Sequence, residues 1–283
     1  MSVIDVYVER RENPFSAEVR LVTRTLAFSI AFAGSALSSS SQRGASKLPG
    51  QILDITEDNF FVRAPATARP GLTTIRLSSP HGGHQFELYR LDGAHSVTDL
   101  VTVLAADKSP TWAKELGGAG YPQAGGTVNA SYILEPGKYA IICAVHDRKD
   151  GLRHYQKGMF SELNVSGQRV AGALPNPDIL VSEVDYTWTL SRSLTAGSHV
   201  LRVTNNGTHV HEMKILRILP GHTYAEVKAW KPGQPRIDEP FATVTTMSPG
   251  VSVITSIRFK RGEYVLWCVP QKEHGMTQPL TID

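Results

Sequence analysis

Most of the chain alternates short apolar runs with Gly- and Pro-rich punctuation. Segments 72–77, 86–91, 131–134 and 139–145 are short and rich in Ile, Val, Leu and Tyr. Pro-Gly, Asn-Gly and Gly-Gly pairs bound them, which is the pattern of strands separated by turns. Segments 97–106 and 224–230 instead carry helical spacing. About seven short strands per hundred-odd residues, with one helical excursion, predict an all-β Greek-key sandwich. A doubly wound α/β fold would need regular long helices, and the pattern has none.

The pattern occurs twice. At an offset of 126, Asp58-Asn59-Phe60 and Ile75-Arg76-Leu77 fall over Val184-Asp185-Tyr186 and Leu201-Arg202-Val203. At 127, the stretch from His84 to Leu91 falls over the stretch from His211 to Ile218, and His95 falls over His222. At 125, Pro136-Gly137-Lys138-Tyr139 through Cys143 falls over Arg261-Gly262-Glu263-Tyr264 through Cys268. Gly158-Met159 then matches Gly275-Met276 after a shortening in the second copy. A fixed period of this kind predicts a tandem repeat. The expected units are 51–166 and 178–283, joined by a linker at 167–177 where Gly and Pro interrupt the pattern.

Residues 1–50 read differently. Arg20 and Arg24 precede an apolar stretch from Leu26 to Leu37, and small residues follow. That order predicts a secretory signal peptide, with Gly34-Ser35-Ala36 as the cleavage region and a Ser/Gly-rich flexible lead-in after it. The apolar stretch falls well short of the roughly twenty residues that span a bilayer, so no membrane span is expected in the mature form. Arg10-Arg11 is a weak twin-arginine signal, because the apolar stretch begins far beyond it. The expected location is periplasmic or extracellular.

Composition narrows the function classes. The 283 residues are 41% hydrophobic and 19% charged, which excludes a disordered, collagen-like or coiled-coil chain. A formal net charge of +3 without basic blocks argues against nucleic acid as a partner. Two cysteines exclude a disulfide scaffold. No Gly-x-Ser-x-Gly elbow, phosphate loop or His-Glu-x-x-His is present, and no pair of acidic residues stands out for acid–base work. The chain is therefore not expected to be an enzyme. Asn129, Asn164 and Asn206 each open a glycosylation triplet, a pattern common by chance.

Candidate chemistry lies in the repeated His, Cys and Met. In each copy a His follows the third strand, a lone Cys ends the penultimate strand, and a His and a Met follow in the next loop. A thiolate, two imidazoles and a weak thioether are the donor set of a blue-copper site. A bound cation lowers the thiol pKa to give that thiolate. A lone buried Cys can equally be a small apolar side chain, and Met159 and Met276 can equally be core filler.

Both halves resemble the cupredoxin family. The stretch from Asn205 to Met213 resembles the family's ligand-bearing third-strand region. The second hallmark is Pro136-Gly137-Lys138-Tyr139, Cys143, His154 and Gly158-Met159. The resemblance covers 52–165 and 178–283 and implies one eight-stranded sandwich per half. It implies copper at one or two type 1-like sites: His84, Cys143, His154 and Met159 in the first half, His211, Cys268, His274 and Met276 in the second. Two spacings depart from the family. Ten residues separate Cys143 from His154, which leaves His146 as a competing ligand. One residue separates His274 from Met276, tighter than the family's habit. His81, His95, His209 and His222 are expected to be surface or structural.

The function that follows is copper binding with single-electron transfer to a redox partner protein. Two alternatives stand beside it: a metal-free binding module using Trp112, Tyr121, Trp188, Trp230 or Trp267, and copper storage or delivery. His209-Val210-His211 invites comparison with multicopper oxidases, but Ile142 and Ala144 flank Cys143, and Trp267 and Val269 flank Cys268. A trinuclear cluster needs histidines there. The same gap argues against a two-domain nitrite reductase.

Overall fold

The protein is described by a computed structural model covering residues 48–231 and 233–283. The expected leader, its cleavage region and Arg10-Arg11 lie outside the described residues.

Among the described residues ten strands precede residue 167: β1 (Gln51–Asp58), β2 (Phe61–Arg63), β3 (Thr67–Ala68), β4 (Gly71–Ser78), β5 (Glu87–Leu91), β6 (Ala113–Glu115), β7 (Ala119–Gly120), β8 (Thr127–Leu134), β9 (Gly137–Ile142) and β10 (Phe160–Val165), with β11 (Ile179–Val184) opening the second half. It continues through β12 (Thr187–Leu190), β13 (Gly197–Asn205), β14 (His211–Ile218), β15 (Asp238–Met247), β16 (Ser252–Phe259), β17 (Gly262–Trp267) and β18 (Thr277–Ile282). Helix α1 (Val97–Ala105) follows β5 and helix α2 (Tyr224–Ala229) follows β14. Each opens on a capping box, Ser96 with Asp99 and Thr223 with Glu226, in which side chain and backbone N–H satisfy one another. The chain is thus mostly strand.

The strands form three sheets. An eight-stranded sheet runs β12-β11-β13-β16-β8-β4-β1-β2. Two five-stranded sheets run β3-β10-β9-β5-β6 and β18-β17-β14-β15-β7. Within the long sheet β1 lies parallel to β4 and β11 parallel to β13, while β8 and β16 pair antiparallel at Ser131–Ile254 and Ala130–Thr255. The apolar faces of all three sheets meet in one core, from Ile55, Ile75, Phe86 and Ile141 to Val203, Ile215, Phe259 and Tyr264. Smaller clusters sit beneath the helices, Leu100 with Tyr89 and Ile142, and Val227 with Leu216 and Val265.

The 167–177 stretch contains no strand, but it is held against the first half. Val170 bridges to Gly71 and accepts a hydrogen bond from the Leu72 N–H at 3.2 Å, and Arg169 pairs with Glu135.

Candidate metal centre

The turn before β9 sets the position of Cys143. Gly137 has φ +149°, a conformation that side-chain-bearing residues rarely adopt. The Tyr139 hydroxyl then donates to the Glu135 carbonyl at 2.8 Å and pins the strand start. From there β9 delivers Cys143 into the core with no exposed surface. The second half repeats the device: Gly262 at φ +142°, and Tyr264 donating to the Lys260 carbonyl at 2.9 Å, ahead of a fully buried Cys268.

His84 arrives from the Gly82-Gly83 turn ahead of β5. His154 arrives by way of a hairpin built from the residues that make its spacing long. His146 bridges to Arg153, the Asp147 N–H donates to Leu152, and the Gly151 N–H donates back to Asp147. Lys157 joins Asp147 and Asp150 beneath it. The chain therefore leaves and returns at one place: the His154 N–H donates to Val145 at 2.8 Å and the Tyr155 N–H to Cys143 at 2.9 Å. His154 opens a one-turn 3-10 helix that ends at Gly158, after which the Cys143 N–H donates to the Met159 carbonyl at 3.0 Å. Met159 is fully buried.

Three donors converge as a result. Cys143 Sγ lies 3.8 Å from His84 Nδ1 and 3.5 Å from His154 Nδ1, and all three ligand atoms fall within 4.8 Å of one another. A metal holding imidazole nitrogen at about 2.0 Å and thiolate sulfur at about 2.3 Å, at tetrahedral to trigonal angles, keeps them about 3.5–3.8 Å apart. The residues fit such an ion. Burial lowers the His84 pKa, and burial with the neighbouring His84 pushes His154 down to about 4, so both imidazoles are neutral and free to ligate at pH 7. Burial above all, then the charge of Glu57, raises the Cys143 thiol well above its usual range. Backbone N–H groups of Gln85 and Val145 oppose that rise. A bound cation supplies the field that makes a thiolate there. His146 stays outside this cluster, exposed on the hairpin.

The second half brings together fewer donors. Cys268 Sγ lies 3.8 Å from His211 Nδ1 and accepts the Glu212 N–H at 3.4 Å. The other ring nitrogen of His211 is held by Asp185 at 2.8 Å. Met276 is fully buried and its carbonyl accepts the Cys268 N–H at 3.2 Å. His274 is exposed, its ring 4.6 Å from that of Tyr186. The place His154 takes in the first half belongs here to Gln271. Counted back from Gly-Met, both residues stand four before the Gly, and both give their carbonyl to the Met N–H, at 3.1 Å from Met159 and 3.4 Å from Met276. The Gln271 side chain is buried and donates to the Val210 carbonyl at 3.1 Å. The sequence signal for Gln271 was the Gly-Met anchor, whereas counting forward from the Cys points to His274.

The remaining histidines have other partners. His81 pairs with Asp58 at 2.7 Å, His95 stacks on Trp112 at 3.9 Å, His209 lies 3.3 Å from Asp185, and His222 lies 3.8 Å from Glu226. A cleft of about 1050 Å³ opens beside the first centre, lined by His84, His154, Glu87, Tyr121, Glu212 and Lys214 among others.

No family model matches the sequence, and no curated protein matches it. Among solved structures, the chain is similar to a dithionite-reduced auracyanin from the photosynthetic bacterium Roseiflexus castenholzii, at 15% identity over 43% of this chain and all of that one, with a TM-score of 0.31. Auracyanin A, a blue copper protein from Chloroflexus aurantiacus, gives 16% over 41% of this chain and 98% of its own, at 0.30. A multicopper oxidase gives 12% over 82% of this chain and 88% of its own, at 0.23. These are weak likenesses, and what the centre can do follows from its own donor atoms.

Proposed function

We propose that this chain is an exported, cupredoxin-like copper protein that passes single electrons to a redox partner and catalyses no reaction of its own. The observation that carries the reading is the convergence of His84 Nδ1, His154 Nδ1 and Cys143 Sγ on one point in the core. In this reading the chain is a duplicated unit, 51–166 and 178–283, with one working type 1-like centre in the first half. Copper supplies the one-electron couple when bound. Cys143, His84 and His154 would hold the ion, the cysteine as thiolate and the histidines as neutral imidazoles, with Met159 as the candidate weak fourth donor. All four are buried, and their anchoring ahead of β5, at the end of β9 and on the hairpin resists rearrangement between oxidation states. No helix among the described residues is long and apolar enough to cross a membrane.

The test is Cu(II) loading of the full chain under non-reducing conditions, with Cys143→Ala and Cys268→Ala alongside. The expected result is one copper per chain and an intense visible thiolate-to-copper band that Cys143→Ala abolishes and Cys268→Ala keeps. A folded, colourless chain without copper would leave the metal-free binding module standing.

A further inference from the structure

The β1–β2 hairpin turns through only Asn59 and Phe60, since Asp58 pairs with Phe61. Both turn residues are left-handed, at φ +42° and +65°. A two-residue turn of this kind ordinarily places Asn first and Gly second, because a bulky side chain makes the left-handed conformation costly. Asn59 obeys that rule and Phe60 breaks it. The Phe60 side chain does not stand there to fill the core, because the residue is 41% exposed. A residue strained in this way and outside the core asks for a local reason.

Its neighbours supply one. The Phe60 ring stands edge-on to the His154 ring, with centroids 5.2 Å apart and planes at 89°. The Lys157 ammonium lies 4.5 Å from the Phe60 ring centroid, and Asp147 and Asp150 of the hairpin hold that ammonium. A histidine that binds metal through one ring nitrogen ordinarily has the other held by a carboxylate or a carbonyl, which fixes the ring. His211 has such a partner in Asp185. For His154, the one side-chain hydrogen-bond contact among the described residues is that of Nδ1 with the Cys143 sulfur.

The second half repeats the exception. Tyr186, the repeat counterpart of Phe60, has φ +75° in the two-residue turn between Val184 and Thr187. It too is exposed, and its ring lies 4.6 Å from that of His274. In both halves an aromatic residue thus occupies a position suited to glycine and lies on the histidine of the 3-10 turn before Gly-Met.

We propose that Phe60 is a positioning residue, whose ring does for His154 what Asp185 does for His211 and keeps Nδ1 turned toward the Cys143 sulfur. This rests on the copper reading above. A donor held in place before the ion arrives loses little freedom on binding, which raises affinity.

The test compares the full chain with Phe60→Gly, which suits the turn but removes the ring, and Phe60→Tyr, which keeps the ring as the second half does. Copper affinity is read by competition with a chelator, the visible band on the loaded proteins, and the melting temperature on the metal-free ones. Phe60→Gly is expected to melt close to wild type without metal, because relief of the turn offsets the lost ring contacts. It is expected to lose about 10–100-fold in copper affinity, the usual loss when an orienting partner is removed, and to shift the band. Phe60→Tyr is expected to match wild type in affinity and band. If Phe60→Gly does not fold, Phe60→Asn serves as the ringless variant. Wild-type affinity in the ringless variant, or an equal loss in Phe60→Tyr, overturns this role alone. A wild-type chain that takes up no copper overturns the copper reading and this role together.

Discussion

Gln271 stands where a second three-donor cluster would need an imidazole. It is buried where His154 stands in the other half, and its amide is committed to the Val210 carbonyl. An amide oxygen is a harder and weaker donor than imidazole for a thiolate-bound copper. Gln271→His should therefore complete a second set with His211 and Cys268, raising copper content from one to two per chain and increasing the visible band. Removal of His274, which is exposed on the 3-10 turn, should change neither. Atomic absorption on the loaded variants checks both, and a copper content of one in Gln271→His would place the defect elsewhere. The first His, the Cys and the Met were legible in the sequence because each recurs at a repeat position; the second His does not, since Gln271 stands where the first half has His154. The resemblance offered His154, with His146 competing, in the first half and His274 in the second; the structure brings His154 to the Cys143 sulfur and leaves His274 exposed, because the outcome depends on how each loop folds back. Glu57 was missed for a different reason: it continues the inward alternation of Leu53 and Ile55, but a lone carboxylate is ordinarily read as exposed.

The elements that carry the donors are held by a segment with almost no secondary structure of its own. Residues 117–120 run between β5 and β15: the Phe86 N–H donates to Ala119, the Leu88 N–H to Gly117, and the Thr245 N–H to Gly118. A Cβ on Gly118 would lie 2.0 Å from the Phe86 carbonyl oxygen and 2.9 Å from Thr245 Oγ1. Backbone cannot swing aside as a flexible side chain can. Gly118→Ala should accordingly cost about 2–3 kcal/mol, the upper part of the range for overpacking, and displace the stretch ahead of β5 that bears His84. Urea unfolding reads the first effect and copper affinity the second; a wild-type midpoint would show that the segment yields freely. The longer strands and both helices were legible from spacing, and α1 begins at the expected Val97. Strands β2, β3, β6 and β7 were not, because two or three residues carry no period.

At the scale of the whole molecule, the unexpected feature is that the two halves share backbone hydrogen bonds. Alternation along β8 and β16 tells which face of each strand is buried, but not that the partner strand lies more than a hundred residues away, so the eight-stranded sheet was hidden in the sequence. The seam brings acidic groups from both halves together. Glu87 is fully buried, and burial first, then the charge of Glu212 from the second half, pushes its pKa up to about 7. An unfolded Glu titrates at about 4.3, so between these values the folded chain keeps a proton that the unfolded chain has released. The native state is therefore favoured by this group below about pH 4.3, loses that advantage as pH rises to about 7, and carries a constant penalty above. The full difference is about 2–4 kcal/mol, and Glu87→Gln, uncharged throughout, escapes it. Paired urea titrations should show the variant gaining on wild type between pH 5 and pH 8, because subtracting one curve from the other cancels every other titrating group. A gap between the two curves that stays constant with pH would mean that Glu87 is already ionised in the folded chain, with Lys214 or Arg153 as its counter-charge across the cleft.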